Sequence, residues 1–98
     1  SQDSALSIEA FEMEQMAIRA FPNPMTTKAT IEFTSSHNET ISFVIYDQLG
    51  KQVYNTTYDA VFGKNSFTLH RENLSSGLYF CKINSAHNSF NPLKLIIK

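Results

Sequence analysis

The sequence predicts an all-β fold, an antiparallel sandwich of about seven strands, and three observations carry the prediction. Short runs in which apolar and polar residues alternate begin at Ala17 and continue to Lys98. Turn-forming residues interrupt those runs about every 8–12 positions, the spacing found in sandwiches and barrels. The 98-residue chain is 42% hydrophobic and 17% charged, apolar enough to bury one core and too short for two.

Residues 1–16 stand apart as an acidic linker or tail, with Glu9, Glu12 and Glu14 among apolar residues that fit neither period. Ile8, Phe11 and Met16 suit a helical face, whereas Phe11, Met13 and Ala17 suit a strand face, so periodicity does not choose between them. The domain itself is expected over residues 17–98. Its strands are Ala17–Phe21, Ala29–Thr34, Ile41–Asp47, Lys51–Tyr58, Ser66–His70, Leu78–Asn84 and Leu93–Lys98. In the second strand Ala29, Ile31 and Phe33 point one way and Thr30, Glu32 and Thr34 the other, as a half-buried antiparallel strand requires. Ile41, Phe43 and Ile45 repeat the pattern. Val53, Phe67, Leu69, Tyr79, Cys81, Ile83, Leu95 and Ile97 extend the inward set across two facing sheets.

Three corners add detail. In "FPNPMTT" two of the chain's three prolines, Pro22 and Pro24, flank Asn23. Each fixes its own φ and pushes the preceding residue toward extended geometry, so a stiff turn without backbone ladder bonds is expected between strands one and two. In "DQLGKQV" the Asp47 carboxylate suits an Asx turn and Gly50 the left-handed position of a three-residue hairpin that Lys51 leaves. In "NLSSGLYF", Leu74 and Gly77 lead to Tyr79, two residues ahead of Cys81. In immunoglobulin-like sandwiches a tyrosine at the start of the sixth strand hydrogen-bonds back across such a corner.

Several functional classes are excluded or disfavoured. The net charge is −1, and no lysine or arginine cluster offers the basic stripe that phosphate contacts need, so no nucleic acid is expected. Cys81 is the single cysteine, so no intrachain disulfide forms. His37, His70 and His87 lie far apart with no ligand at metal spacing. Asp47 is accounted for by its turn, and Cys81 by burial as a small apolar residue. No nucleophile with its base, phosphate loop or carboxylate pair is visible, so neither an enzyme, a cofactor nor a small-molecule substrate is expected. The start "SQDSALS" carries no secretory signal, and its lack of Met suits a piece of a longer polypeptide, tag residues or processing equally well.

The order "AFPNP", "TIEF", "ISFVIYDQLGKQV", "GKNSFTLHRENLSSGLYF" and "LKLIIK" resembles the C-terminal sorting domain of type IX secretion cargo in Bacteroidota, from about Ala17 to Lys98. The matching positions are Pro22, Asn23 and Pro24; Tyr46 to Lys51, with Asp47, Gly50 and Lys51; Gly63 and Asn65; Leu74, Gly77 and Tyr79; and Lys94 to Lys98. Departures are Met25, Cys81, and His70 with Arg71 where an acidic residue is common. The resemblance implies a transport address. A larger cargo would enter the periplasm by its own signal peptide, cross the outer membrane through the type IX machinery, and reach the cell surface or the medium. It also implies a surface sortase that removes the domain and attaches the cargo, with cleavage expected in Ile8–Met16 or upstream.

Recognition is expected at Lys94, Leu95, Ile96, Ile97 and Lys98, where a terminal edge strand is able to join a receptor sheet. The plainer reading makes Leu95 and Ile97 core residues and the lysines guards of the edge. Two other classes stay open. One is an immunoglobulin-like accessory module for adhesion or carbohydrate binding, with Tyr46, Tyr54, Tyr58 and Phe80 as an outward row but no Trp. The other is a spacer that stabilises a neighbouring domain.

Overall fold

The computed structural model describes residues 16–98 and contains seven strands there: β1 (Ile18–Phe21), β2 (Lys28–Ser35), β3 (Glu39–Tyr46), β4 (Gln52–Ala60), β5 (Gly63–His70), β6 (Gly77–Asn84) and β7 (Leu93–Ile97). They form two antiparallel sheets, ordered β1-β2-β5 and β4-β3-β6-β7. The chain changes sheets between β2 and β3, between β4 and β5, and again between β5 and β6. The linker expected over 1–16 lies, apart from Met16, outside the described residues.

Alternation places the core as expected. Ala29, Ile31, Phe33, Ile41, Phe43, Ile45, Leu69, Tyr79, Cys81, Ile83, Leu95 and Ile97 are all buried in one cluster. Val53 and Phe67 pack against it half-buried, because their strands lie at sheet edges and lack a neighbour on one side. Val44 is buried although it alternates outward. It lies on the inner strand β3, opposite Asn55 of β4 and Lys82 of β6, and flanking side chains on both sides shield it.

One end of the core is aromatic. The Phe33 ring meets Tyr58, Phe67 and Phe90 edge-on at centroid distances of 5.9, 6.5 and 5.8 Å. Phe43 meets Phe67 at 5.1 Å and Tyr54 at 6.4 Å, also edge-on. These arrangements direct the positive ring edge at a negative face and add to simple area burial. They also correct the expectation of an outward aromatic row, since Tyr54 and Tyr58 turn inward to this cluster.

Turns between strands are closed by side chains. The Asp47 carboxylate accepts from the N–H groups of Leu49 and Lys51, both at 2.9 Å, while Gly50 takes φ 86° and its N–H donates to the Asp47 carbonyl at 3.0 Å. This is the Asx-turn hairpin read from the sequence. Between β4 and β5, buried Asn65 accepts from Val61 N–H at 2.9 Å and donates to the carbonyls of Val61 and Gly63 at 2.9 and 3.0 Å. Gly63 sits at φ 101°, a conformation that side chains resist. The glycine thus bends the chain and the asparagine holds it bent.

Phe33→Ala should lower unfolding free energy by about 3–5 kcal/mol, because the surrounding rings cannot collapse fully into the space left. Urea denaturation with an unchanged m-value checks this.

A candidate recognition site at the clasped C-terminal strand

β7 ladders with β6 on one side, pairing Tyr79 with Leu95 and Gly77 with Ile97. Its other side lies at the sheet edge, yet that edge is not free. The Asn23 amide donates to the Lys94 carbonyl at 2.8 Å and accepts from Ile96 N–H at 3.0 Å, so one side chain imitates a strand residue. Met25 continues the pairing in parallel sense, its N–H donating to the Ile96 carbonyl at 2.8 Å and its carbonyl accepting from Lys98 N–H at 2.9 Å. The Met25 side chain is fully buried in the core. The residue read as a departure after the prolines is therefore an anchor: its side chain fixes the corner and its backbone closes β7.

Arg71 reinforces the same end. Its guanidinium donates to the carbonyls of Leu74 at 2.8 Å, Thr26 at 3.3 Å and Lys98 at 2.6 Å, and to the Ser76 hydroxyl at 3.1 Å. Its backbone N–H donates to the Thr27 carbonyl at 2.9 Å. One planar cation with several donors in fixed directions ties three chain segments together, which a lysine could not reproduce. Next to it the buried Tyr79 hydroxyl donates to the Ser75 carbonyl at 2.7 Å, the tyrosine corner expected from the sequence.

The five residues 94–98 divide by face. Leu95 and Ile97 are core residues, whereas Lys94, Ile96 and Lys98 are exposed, Ile96 to 41%. On this outer face Ile96 lies across from Leu78, and Lys94 across from Phe80. Phe80 in turn faces Tyr46, over whose ring the Lys82 ammonium sits at 5.8 Å. Tyr46, Phe80, Lys82 and Pro92 line an open groove of about 490 Å³ with the Asp47 hairpin. A partner meeting the folded domain here meets lysines and a half-exposed apolar strip. A partner strand along the β7 edge would first have to displace Asn23 and Met25.

Elsewhere the structure joins residues that sequence separation kept apart. His37 and His87 stack at a centroid distance of 3.9 Å and an interplanar angle of 22°. Beside them Glu39 accepts from the Ser85 hydroxyl and, at 3.1 Å, from Ala86 N–H. The Ser85 hydrogen bond holds the Glu39 carboxyl below the ordinary glutamate range, burial opposes this, and Ala86 N–H and the two imidazoles add to it. Ser36 and Asn88 complete the clasp between these loops through bonds of 2.9–3.2 Å. No three histidine, cysteine, aspartate or glutamate side chains among the described residues are placed to hold a metal ion. Cys81 is fully buried, and burial pushes its thiol up to about 12, leaving it neutral and unreactive at neutral pH.

Comparison with known proteins assigns the chain. A family model described as the secretion system C-terminal sorting domain matches residues 19–98, from within β1 through β7. The chain belongs to this sorting-domain family. As such it is a C-terminal sorting signal for type IX secretion, which directs export across the outer membrane to the cell surface or extracellular space. The type IX machinery is its partner, and a sorting domain is not itself the catalyst of a reaction. An endo-acting ulvan lyase of Formosa agariphila is 25% identical over 99 residues, covering 96% of this chain. The sorting domain spans 18% of the length of that relative. Among solved structures, the crystal structure of CHIR-AB1 matches with a TM-score of 0.51 at 15% identity, covering 88% of this chain and 100% of that one. This likeness speaks for the immunoglobulin-like fold alone.

Asn23→Ala should accelerate hydrogen exchange at the Ile96 amide while leaving the amides that ladder to β6 protected, with a stability loss of about 0.5–1.5 kcal/mol for each bond removed. Exchange followed by NMR checks it. The lowered Glu39 pKa gives a signed prediction. Its stabilising contribution is complete above the pKa of an unfolded glutamate and is lost as pH falls through the lower folded value. Urea unfolding of Glu39→Gln between pH 7 and about pH 3 should show a flatter acid decline than the parent chain.

Proposed function

We propose that the domain travels at the end of a larger cargo through the periplasm and is read by the type IX machinery at β7. A surface sortase then removes it by cutting within Ile8–Met16 or upstream. The domain runs from residue 17 to 98, and residues 1–16 act as the linker that presents the cleavage point. It serves as an address and catalyses nothing. That reading accounts for Asp47, whose carboxylate closes its turn, and for Cys81, which is buried and neutral.

The observation that carries the recognition reading is the division of β7. Lys94, Ile96 and Lys98 stand on the surface, while Leu95 and Ile97 hold the strand that displays them. A receptor that reads the folded domain therefore takes two ammonium groups around one apolar side chain, beside Phe80. Strand addition along β7 is the deeper form of the same contact. It exchanges the Asn23 and Met25 bonds for bonds to the receptor, and the pockets filled by Leu95 and Ile97 are then those of this domain's own core.

The test fuses the 98-residue chain behind a signal peptide and a fluorescent protein in a host with a working type IX system. Surface or medium delivery that disappears in a secretion-defective strain is the expected result. Periplasmic retention in both strains overturns the address. Lys94→Gln with Lys98→Gln should leave thermal unfolding within about 0.5 kcal/mol of the parent while export falls. Undiminished export by this variant would remove the lysines from the recognition reading.

A further inference from the structure

Lysines on the outer face of the four-stranded sheet have no carboxylate within ion-pair reach among the described residues. Lys82 rises from β6, and Lys94 and Lys98 from β7 and its end, all exposed. The one ion pair among the described residues, Arg19 with Glu32 at 3.3 Å, lies on the other sheet. The carboxylates of the four-stranded sheet and its first hairpin are engaged elsewhere. Asp47 accepts from Leu49 and Lys51 N–H, Asp59 from the Thr40 hydroxyl at 2.9 Å, and Glu39 from Ser85 and Ala86. The β6–β7 part of the face thus carries positive charge alone, on a chain whose net charge is −1.

Strand register sets these charges in rows. At two-residue steps β6 presents Lys82, Phe80 and Leu78 outward, and β7 sets Lys94 across from Phe80 and Ile96 across from Leu78, with Lys98 one step further. Each step is roughly 6.6 Å along the sheet. Along the β6–β7 pair the surface therefore reads Lys82, then Lys94 with Phe80, then Ile96 with Leu78, then Lys98. Phe80 and Ile96 are 37% and 41% exposed, so the apolar rows are open to a partner. On the β3 side the Lys82 ammonium stands over the Tyr46 ring at 5.8 Å, an attraction that gives its flexible stem a preferred direction.

We propose that this face takes an extended acidic segment of the protein that reads the domain, an inference that rests on the recognition reading above and adds Lys82 to it. An extended chain rises by the same two-residue step as the sheet beneath it, so its side chains at i, i+2, i+4 and i+6 fall over successive rows. Carboxylates at i, i+2 and i+6 meet Lys82, Lys94 and Lys98, and an apolar side chain at i+4 meets Ile96 and Leu78. Complementary charge then fixes register and partner choice more than affinity. The lysines of this face fall short of the clusters of about four to eight lysines and arginines that read an anionic membrane. A saccharide needs a bare aromatic platform, and the ammonium over Tyr46 takes that ring out of use.

The probe is an acetylated and amidated peptide, Glu-Ser-Glu-Ser-Leu-Ser-Glu, titrated at low salt into the isotopically labelled 98-residue chain and followed by amide shifts. Shifts should gather at Phe80, Lys82, Lys94 and Ile96. Affinity should fall at least about fivefold in Lys82→Gln with Lys94→Gln, which removes two exposed ion pairs. Lys82→Glu with Lys94→Glu should reverse the preference, so that Lys-Ser-Lys-Ser-Leu-Ser-Lys binds more tightly than the acidic peptide. Urea unfolding that matches the parent keeps the comparison to folded chains. Absence of these shifts overturns the proposal, and so does an affinity indifferent to the lysine changes. Binding of dextran sulfate or phosphatidylglycerol vesicles where the peptide does not bind overturns it in favour of a polyanion. Export separates this inference from the address reading: in the fluorescent fusion Lys82→Gln alone should reduce delivery. Equal delivery of parent and Lys82→Gln overturns the part given to Lys82 and leaves the address standing, whereas periplasmic retention of the parent overturns the address and the receptor assignment with it.

Discussion

The structure depends on how one terminal strand is kept in place. β7 is 5 residues long, and a strand of that length laddered on one side only would fray readily. The Pro22–Met25 corner prevents this by acting as a fragment of another strand. Asn23 contributes a side-chain amide, Met25 its backbone, and the Met25 side chain pins the whole arrangement to the core. The corner belongs to the three-stranded sheet by sequence and to the four-stranded sheet by hydrogen bonding. It therefore joins the two layers at one end through bonds as well as packing.

Arg71 and Tyr79 extend that logic to the chain leading into β6 at the same end. A guanidinium bonded to four acceptors, including the Lys98 carbonyl, and a phenol bonded to Ser75 hold the chain crossing into β6 against the end of β7. The recognition face proposed above is then displayed on a strand secured on both flanks. Its exposed and buried side chains alternate by geometry, so the same five residues serve stability and display without conflict.

Much of this was legible in the sequence where a local rule sufficed. Alternation placed all seven strands and most of the core, and the Asx turn at Asp47 and the corner at Tyr79 follow from residue type and spacing. What escaped depends on contacts across the fold. Asn23 reads as a turn residue until β7 is beside it, 71 positions away. Met25 interrupts no period because it lies between strands, and Arg71 offers only the signal of a lone cation ahead of a tyrosine corner. His37 and His87 meet because the loops after β2 and β6 reach the same end of the sandwich, which no spacing rule encodes. Tyr54 and Tyr58 misled because counting on from an inward Val53 sets them outward, and the bulge between Gln52 and Tyr54, which lets Val53 and Tyr54 both pack on the core, leaves no mark in the alternation.

The clasp on β7 has a consequence for growth. A flat sheet with two open edges is a monomer for polymerisation: each added copy leaves another edge behind it, and the product is a fibre. Sealing one edge makes the sheet monofunctional. Whatever pairs with the β4 edge ends growth through this sheet, so Asn23 and Met25 act as its chain terminator.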